Sequence, residues 1–118
     1  TEPRGSGAKI VAHVVNDGTA NWGAGFAKAV AKKWPAVQRD FADWVAADKS
    51  RLRLGSTQVA VARDDLAFFQ MVCQHGYGPS ARPRIRYAAL ETCLRSLADE
   101  ASRRGATVHM PRIGCGQA

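Results

Sequence analysis

Thiols are scarce in this 118-residue chain: Cys73, Cys93 and Cys115 are the full set. An odd number at wide spacing excludes a disulfide framework and makes a reducing compartment, the cytosol, the expectation. Neither CxxC nor HExxH occurs, and the three histidines, His13, His75 and His109, stand far apart in the chain. No metal site and no cofactor is therefore expected. Long apolar runs are missing too; the longest are a few residues, against the ~20 that a membrane-spanning helix needs, so no membrane partner is expected. The GxGxxG and GxxxxGK[ST] phosphate-binding patterns are also absent. Acidic residues are in the minority, 10 against 17 Lys and Arg, which leaves a net charge of +7. A chain of that balance attracts polyanions: nucleic acid, nucleotides or phosphorylated groups. Its richness in arginine and alanine suggests a GC-rich bacterial source.

What is present describes one globular domain. Hydrophobic residues make up 46% and charged residues 23%, ordinary globular values. Residues 1–8 read as loop, and residues 9–15, a short valine-rich apolar run, read as a buried strand of a parallel sheet. Residues 16–25 are rich in Gly, Asn and Asp and read as a loop. Phe26, Val30 and Trp34 then recur at helical spacing, and Pro35 closes that helix and opens the next. Val37, Phe41, Trp44 and Val45 form the apolar stripe of the second helix. Residues 57–62 and 67–73 read as two strands joined by Arg63, Asp64 and Asp65. A long loop, 74–83, with two glycines and two prolines, follows. Tyr87, Leu90, Leu94, Leu97 and Ala101 mark a further helix, closed by Arg103, Arg104 and Gly105. Residues 107–110 are a last short strand and 111–118 a glycine-rich loop. Helices alternate with strands, so the class is α/β with a mixed central sheet.

Two glycine-rich loops each follow a strand, at the place where α/β sheets gather ligands. Glycine lets the backbone approach a phosphate closely and present its N–H groups. The first loop contains Asn16, Asp17, Gly18, Trp22, Gly23, Ala24 and Gly25 and runs towards a helix. The second is Pro111, Arg112, Ile113, Gly114, Cys115, Gly116 and Gln117.

Three separated blocks carry a resemblance to a known family. They are Ile10 to Asp17 with Trp22 to Ala27, then Gln74 to Pro79, then Val108 to Gly116. In order and spacing these blocks resemble the macro domains. Within that family the chain looks most similar to the branch of ADP-ribose 1″-phosphate phosphatases and terminal ADP-ribose–protein hydrolases, which has a strand His before the Asn loop and a Pro-Arg-Ile-Gly-Cys-Gly loop. The resemblance implies a three-layer α/β/α sandwich with ADP-ribose lying across the strand ends. It implies that Asn16, Asp17, Gly23, Ala24, Gly25 and Phe26 lie near the distal ribose, with Trp22 a further ligand-binding candidate of that loop, and that Ile113, Gly114, Cys115, Gly116 and Gln117 cradle the diphosphate. It also implies that residues 1–118 are a single macro-like domain without the family's first strand and its C-terminal helix and strand.

Some positions depart from the branch. Its lysine-dependent hydrolases use a Lys near the position of Gln74 and an acid near that of Ala118, which disfavours a lysine adduct here. The first loop is one residue longer than expected before Trp22. His13 falls on the side of its strand opposite Ile10, Ala12 and Val14, and reads either as a hydrogen-bonded core histidine or as a catalytic acid–base group. Asp17 reads as a turn residue, a ribose ligand or a water-activating carboxylate. Trp22 reads as a loop anchor, and Trp34 and Trp44 as core. Arg82, Arg84 and Arg86 form a basic cluster that reads as a solvated face or a polyanion contact. The expected function is ADP-ribose binding with hydrolysis of ADP-ribose 1″-phosphate or of ADP-ribosyl linkages on macromolecules, His13 and Asp17 being the catalytic candidates. The alternatives are a non-catalytic ADP-ribose reader and a basic nucleic-acid-binding domain.

Overall fold

The computed structural model describes residues 7–18, 22, 25–75 and 85–111. Strand β1 (Lys9–Asn16) is followed by helices α1 (Gly25–Lys33) and α2 (Pro35–Ala47), strands β2 (Thr57–Arg63) and β3 (Leu66–Gln74), helix α3 (Tyr87–Arg104) and strand β4 (Thr107–His109). The sheet order is β2-β3-β1-β4. β1 runs parallel to both neighbours, while β2 and β3 form an antiparallel hairpin. This is the expected α/β class with a mixed sheet.

Local chemistry accounts for each boundary. Pro35 sits in the first turn of α2, where its missing N–H costs nothing. Lys32 and Lys33 close α1 against the negative end of its dipole. Gly105 ends α3 in the left-handed region, φ 59°, where glycine is at no steric disadvantage. Ala106 N–H then returns to the Ala101 carbonyl, satisfying one of the helix's last acceptors. The connection after α2 contains a single 3-10 turn, Lys49–Arg51, that periodicity did not reveal. Asp48 caps it, accepting from the Ser50 N–H at 3.1 Å and the Ser50 hydroxyl at 2.6 Å.

Every residue of β1 and β3 is buried, as a strand covered on both faces must be. The alternation along β1 splits its side chains between two cores. Val11 and Val15 join Phe68 and Val72 beneath α1 and α2, packing on Val30, Val37, Phe41 and Val45. Ile10, Ala12 and Val14 join Phe69 and Met71 beneath α3, packing on Cys93 and Leu97. Helices on both faces of one sheet make the three-layer sandwich.

The α3 stripe differs from its expected composition. Leu94 and Tyr87 are exposed, while Cys93 and Leu97 are buried and Ala89, Leu90 and Ala101 pack beside them. Leu90, Leu97 and Ala101 keep their expected side, while Cys93 takes the place expected of Leu94 as a small core residue. Trp34 and Trp44 are half-buried and pack on the α1–α2 core, Trp34 against Phe68 and Trp44 against Phe41. Among the described residues no helix is long and apolar enough to cross a membrane.

Candidate functional site at the carboxyl ends of the strands

The parallel strands β1 and β3 end side by side, and an irregularity in their register shapes that edge. Val15 pairs with Val72, but Asn16 pairs with Gln74, so Cys73 is the extra residue of a bulge. Bulges of this kind re-aim the side chains that follow. Beyond it, Asp17 N–H donates to the Gln74 carbonyl at 2.9 Å, extending the pairing by one residue. Asn16 turns back on its own loop, its Oδ1 accepting from the Gly18 N–H at 2.5 Å. This is an Asx turn, and it starts the first glycine-rich loop.

The far side of β3 is secured as well. Ile85 forms an antiparallel bridge with Gln74, and Arg86 N–H donates to the Cys73 carbonyl at 2.8 Å. Held between these contacts, His75 directs its Nδ1 at Asp17, 2.9 Å from Oδ2 and 3.2 Å from Oδ1. The Asp17 side chain is 17% exposed and that of His75 58%. A carboxylate only accepts, so the Nδ1–H of His75 donates to it. His75 was not among the residues expected at the site. The available signal was its place directly after a strand, at the edge where ligands collect.

His13 lies lower in the same strand and is fully buried. It pairs in register with Gln70, which pairs in register with Gln58. The side chains follow the same line: Gln70 Nε2 donates to Gln58 Oε1 at 2.6 Å, and Gln70 Oε1 accepts from His13 Nε2 at 3.0 Å. That arrangement leaves the lone pair of the neutral ring on Nδ1. Burial lowers the His13 pKa to about 4, against a smaller opposing effect of the Gln70 hydrogen bond, so the ring is neutral near pH 7. The rings of Trp22 and Phe26 pack against it edge-to-face, with centroids 5.2 and 5.5 Å away. His13 Nδ1 and Trp22 Nε1 are buried and meet no hydrogen-bond partner among the described residues.

The expected site residues thus separate into groups. Asn16 and Asp17 stand at the carboxyl edge; His13, Trp22 and Phe26 pack together by their rings, with His13 buried in β1. Gly25 is the first residue of α1. Gly23, Ala24, Ile113, Gly114, Cys115, Gly116 and Gln117 lie outside the described residues, as do Arg82 and Arg84 of the basic cluster. Among the described residues β4 pairs with Lys9 to Val11, the first three residues of β1, and ends at His109. Cys73 and Cys93 are free and buried. The hydrogen bond to Cys93 and burial push the Cys73 thiol's pKa up, so it stays protonated. Among the described residues no cluster of His, Cys, Asp and Glu is arranged to hold a metal ion.

Solved structures resemble this chain over nearly its whole length. A protein from Bacteroides thetaiotaomicron is 36% identical with a TM-score of 0.87, the match covering 97% of this chain and 74% of that one. A macrodomain protein from Streptomyces coelicolor is 34% identical with a TM-score of 0.83, the match covering 99% of this chain and 76% of that one. The Thermosipho africanus DarTG structure, solved in complex with ADP-ribose, shares the fold at 20% identity and a TM-score of 0.67, over 92% of this chain and 30% of that one. No family model and no curated protein sequence matches the chain.

Proposed function

The chain belongs to the macrodomain family, and from that membership we propose that its carboxyl-edge site binds ADP-ribose and hydrolyses ADP-ribose 1″-phosphate or ADP-ribosyl linkages on macromolecules. The observation that carries this reading is the pair of residues that opens the first loop. Asn16 and Asp17 follow a fully buried parallel strand, and the Asx turn fixes the loop's departure from the sheet. In this reading Asn16, Asp17 and Gly23 to Phe26 surround the distal ribose, with Trp22 anchoring the loop from below. Ile113 to Gln117 supply the backbone N–H groups for the diphosphate. His13, neutral and fixed by Gln70, forms the floor of the site, and Asp17 bears on the attacking water. The ADP-ribose bound by the Thermosipho relative of the same fold supports the ligand class. The two buried free thiols fit a reducing, cytoplasmic setting.

Calorimetric titration with ADP-ribose, with ADP and AMP as controls, tests the reading. The expected result is micromolar binding that clearly exceeds that of ADP, because only ADP-ribose carries the distal ribose. Equal affinity for ADP would remove the ribose from the first loop, and no binding by folded protein would overturn the reading.

One observation favours a reader without chemistry. Gln74, at the position of the branch's lysine, is buried at the end of β3, and an amide there supplies no nucleophile. ADP-ribose binding with both substrates unchanged after long incubation would select this second reading.

A further inference from the structure

We propose that Asp17 and His75 form an acid–base dyad in which His75 deprotonates the water that hydrolyses an oxygen-linked ADP-ribosyl group at C1″ of its distal ribose. The inference rests on the ADP-ribose reading above and adds the group that performs the chemistry. The pairs Arg63–Asp65, Arg95–Glu91, Arg103–Glu100 and Arg104–Glu100 join positions two to four apart, within one helix or one hairpin turn. Asp17 and His75 are 58 positions apart and come from two different strand ends. Each is held by backbone: Asp17 N–H on the Gln74 carbonyl, and the residues before His75 on Ile85 and Arg86.

The geometry selects the tautomer. Nδ1–H donates to the Asp17 carboxylate at 2.9 Å, which places the ring's lone pair on Nε2. A base oriented by a carboxylate in this way takes a proton from water and keeps its ring in place while charged. His75 is the more exposed partner, 58% against 17% for Asp17, so its side chain is open to solvent. His13 is unsuited to the same task, since its Nε2 is committed to Gln70 and burial opposes its protonation.

In the step, the water oxygen bonds to C1″ as Nε2 takes one of its protons. The bond from C1″ to the phosphate or carboxylate oxygen breaks, and the electron pair leaves on that oxygen. The imidazolium, paired with Asp17, then gives its proton to the departing oxyanion or to solvent. The products are ADP-ribose and free phosphate or carboxylate. Phosphate and acyl substrates share this C1″–O bond and an oxyanion leaving group, so one dyad serves both.

The test uses the full chain with ADP-ribose 1″-phosphate and with a protein ADP-ribosylated on glutamate. His75→Ala should lower kcat by about 100-fold or more, the range of a lost acid–base group, with ADP-ribose affinity held within about 2-fold. Added imidazole should restore part of the turnover of His75→Ala, and much less in the double variant with Asp17→Asn, because the carboxylate no longer orients the added base. Reaction in ¹⁸O-water should leave the released phosphate unlabelled, since the attack is at C1″. Wild-type turnover by folded His75→Ala overturns the proposal, and so does label in the phosphate. ADP-ribose binding without turnover by the wild type overturns the dyad and leaves the ADP-ribose reading standing. Absence of both binding and turnover overturns the two together. Circular dichroism of each variant separates a lost base from a lost fold, and imidazole rescue itself requires a folded site.

Discussion

His13 Nε2 lies 3.0 Å from Gln70 Oε1 across two adjacent parallel strands, and the histidine is wholly enclosed. This contact spans the middle of the sheet and continues to Gln58 on β2, giving a polar line between the apolar side chains of Val11 and Val15. A half-satisfied polar group there is costly, so the line fixes which residues of β1 and β3 face each other.

Protonation of His13 should make folding stability depend on pH. Its pKa is about 4 in the folded chain and near 6.5 when exposed, so between those values the unfolded chain binds the extra proton. The stability is complete above about pH 6.5 and is lost progressively as the pH falls to about 4, by on the order of 3 kcal/mol. Urea midpoints measured from pH 7 to pH 4 should show this loss, and His13→Gln should remove most of it. An identical pH slope in the variant would place the titrating group elsewhere.

Gln70→Leu should destabilise the chain although leucine suits a buried strand. The substitution strands His13 Nε2–H without an acceptor, at a cost of about 1–3 kcal/mol. Equilibrium unfolding in urea should show a lower midpoint with an unchanged slope. A midpoint equal to that of the wild type would show that the line adds nothing to stability.

Phe41 is the centre of the core beneath α1 and α2, with Trp22 and Trp44 rings at 5.3 and 5.7 Å. It is fully buried. Phe41→Ala should cost about 3–5 kcal/mol from lost burial and the cavity left behind. Tryptophan fluorescence should report the change directly, since two of the three indoles touch this ring. A loss below about 1 kcal/mol would mean that the two tryptophans close the gap.

Gly18 is the second partner of the Asx turn. A Cβ there would stand 2.9 Å from Asn16 Oδ1, the acceptor of the Gly18 N–H bond. Gly18→Ala should therefore move the Asn16 side chain and loosen the start of the first loop. The expected effect is about a 5-fold loss of ADP-ribose affinity, corresponding to about 1 kcal/mol, with little change in unfolding midpoint. Calorimetry on the variant decides it; unchanged affinity would show that the turn does not shape the site.

The order and kind of the elements were legible in the residues, because periodicity and turn chemistry act over a few positions. A valine-rich run marked β1, two apolar runs around Arg63, Asp64 and Asp65 marked the hairpin, Pro35 divided α1 from α2, and Arg103, Arg104 and Gly105 closed α3. The sides of β1 were legible too: His13 stands opposite Ile10, Ala12 and Val14, as alternation requires. Asn16 and Asp17 declared themselves as a strand-end turn. The exposed Leu94 and the buried Cys93 show the limit of such patterns, since the buried face of α3 is decided by what the sheet offers it.

Only the tertiary structure decided what crosses between strands. The sheet order β2-β3-β1-β4, the bulge at Cys73 and the line from His13 through Gln70 to Gln58 depend on register, which no local pattern contains. The same holds for Asp17 and His75. Each is an ordinary loop residue in the chain, and they meet because two parallel strands end together and a bulge turns the last residues toward one another. Local residues determined the pieces and their faces, while pairing over 58 positions arose from burying both faces of one sheet at once.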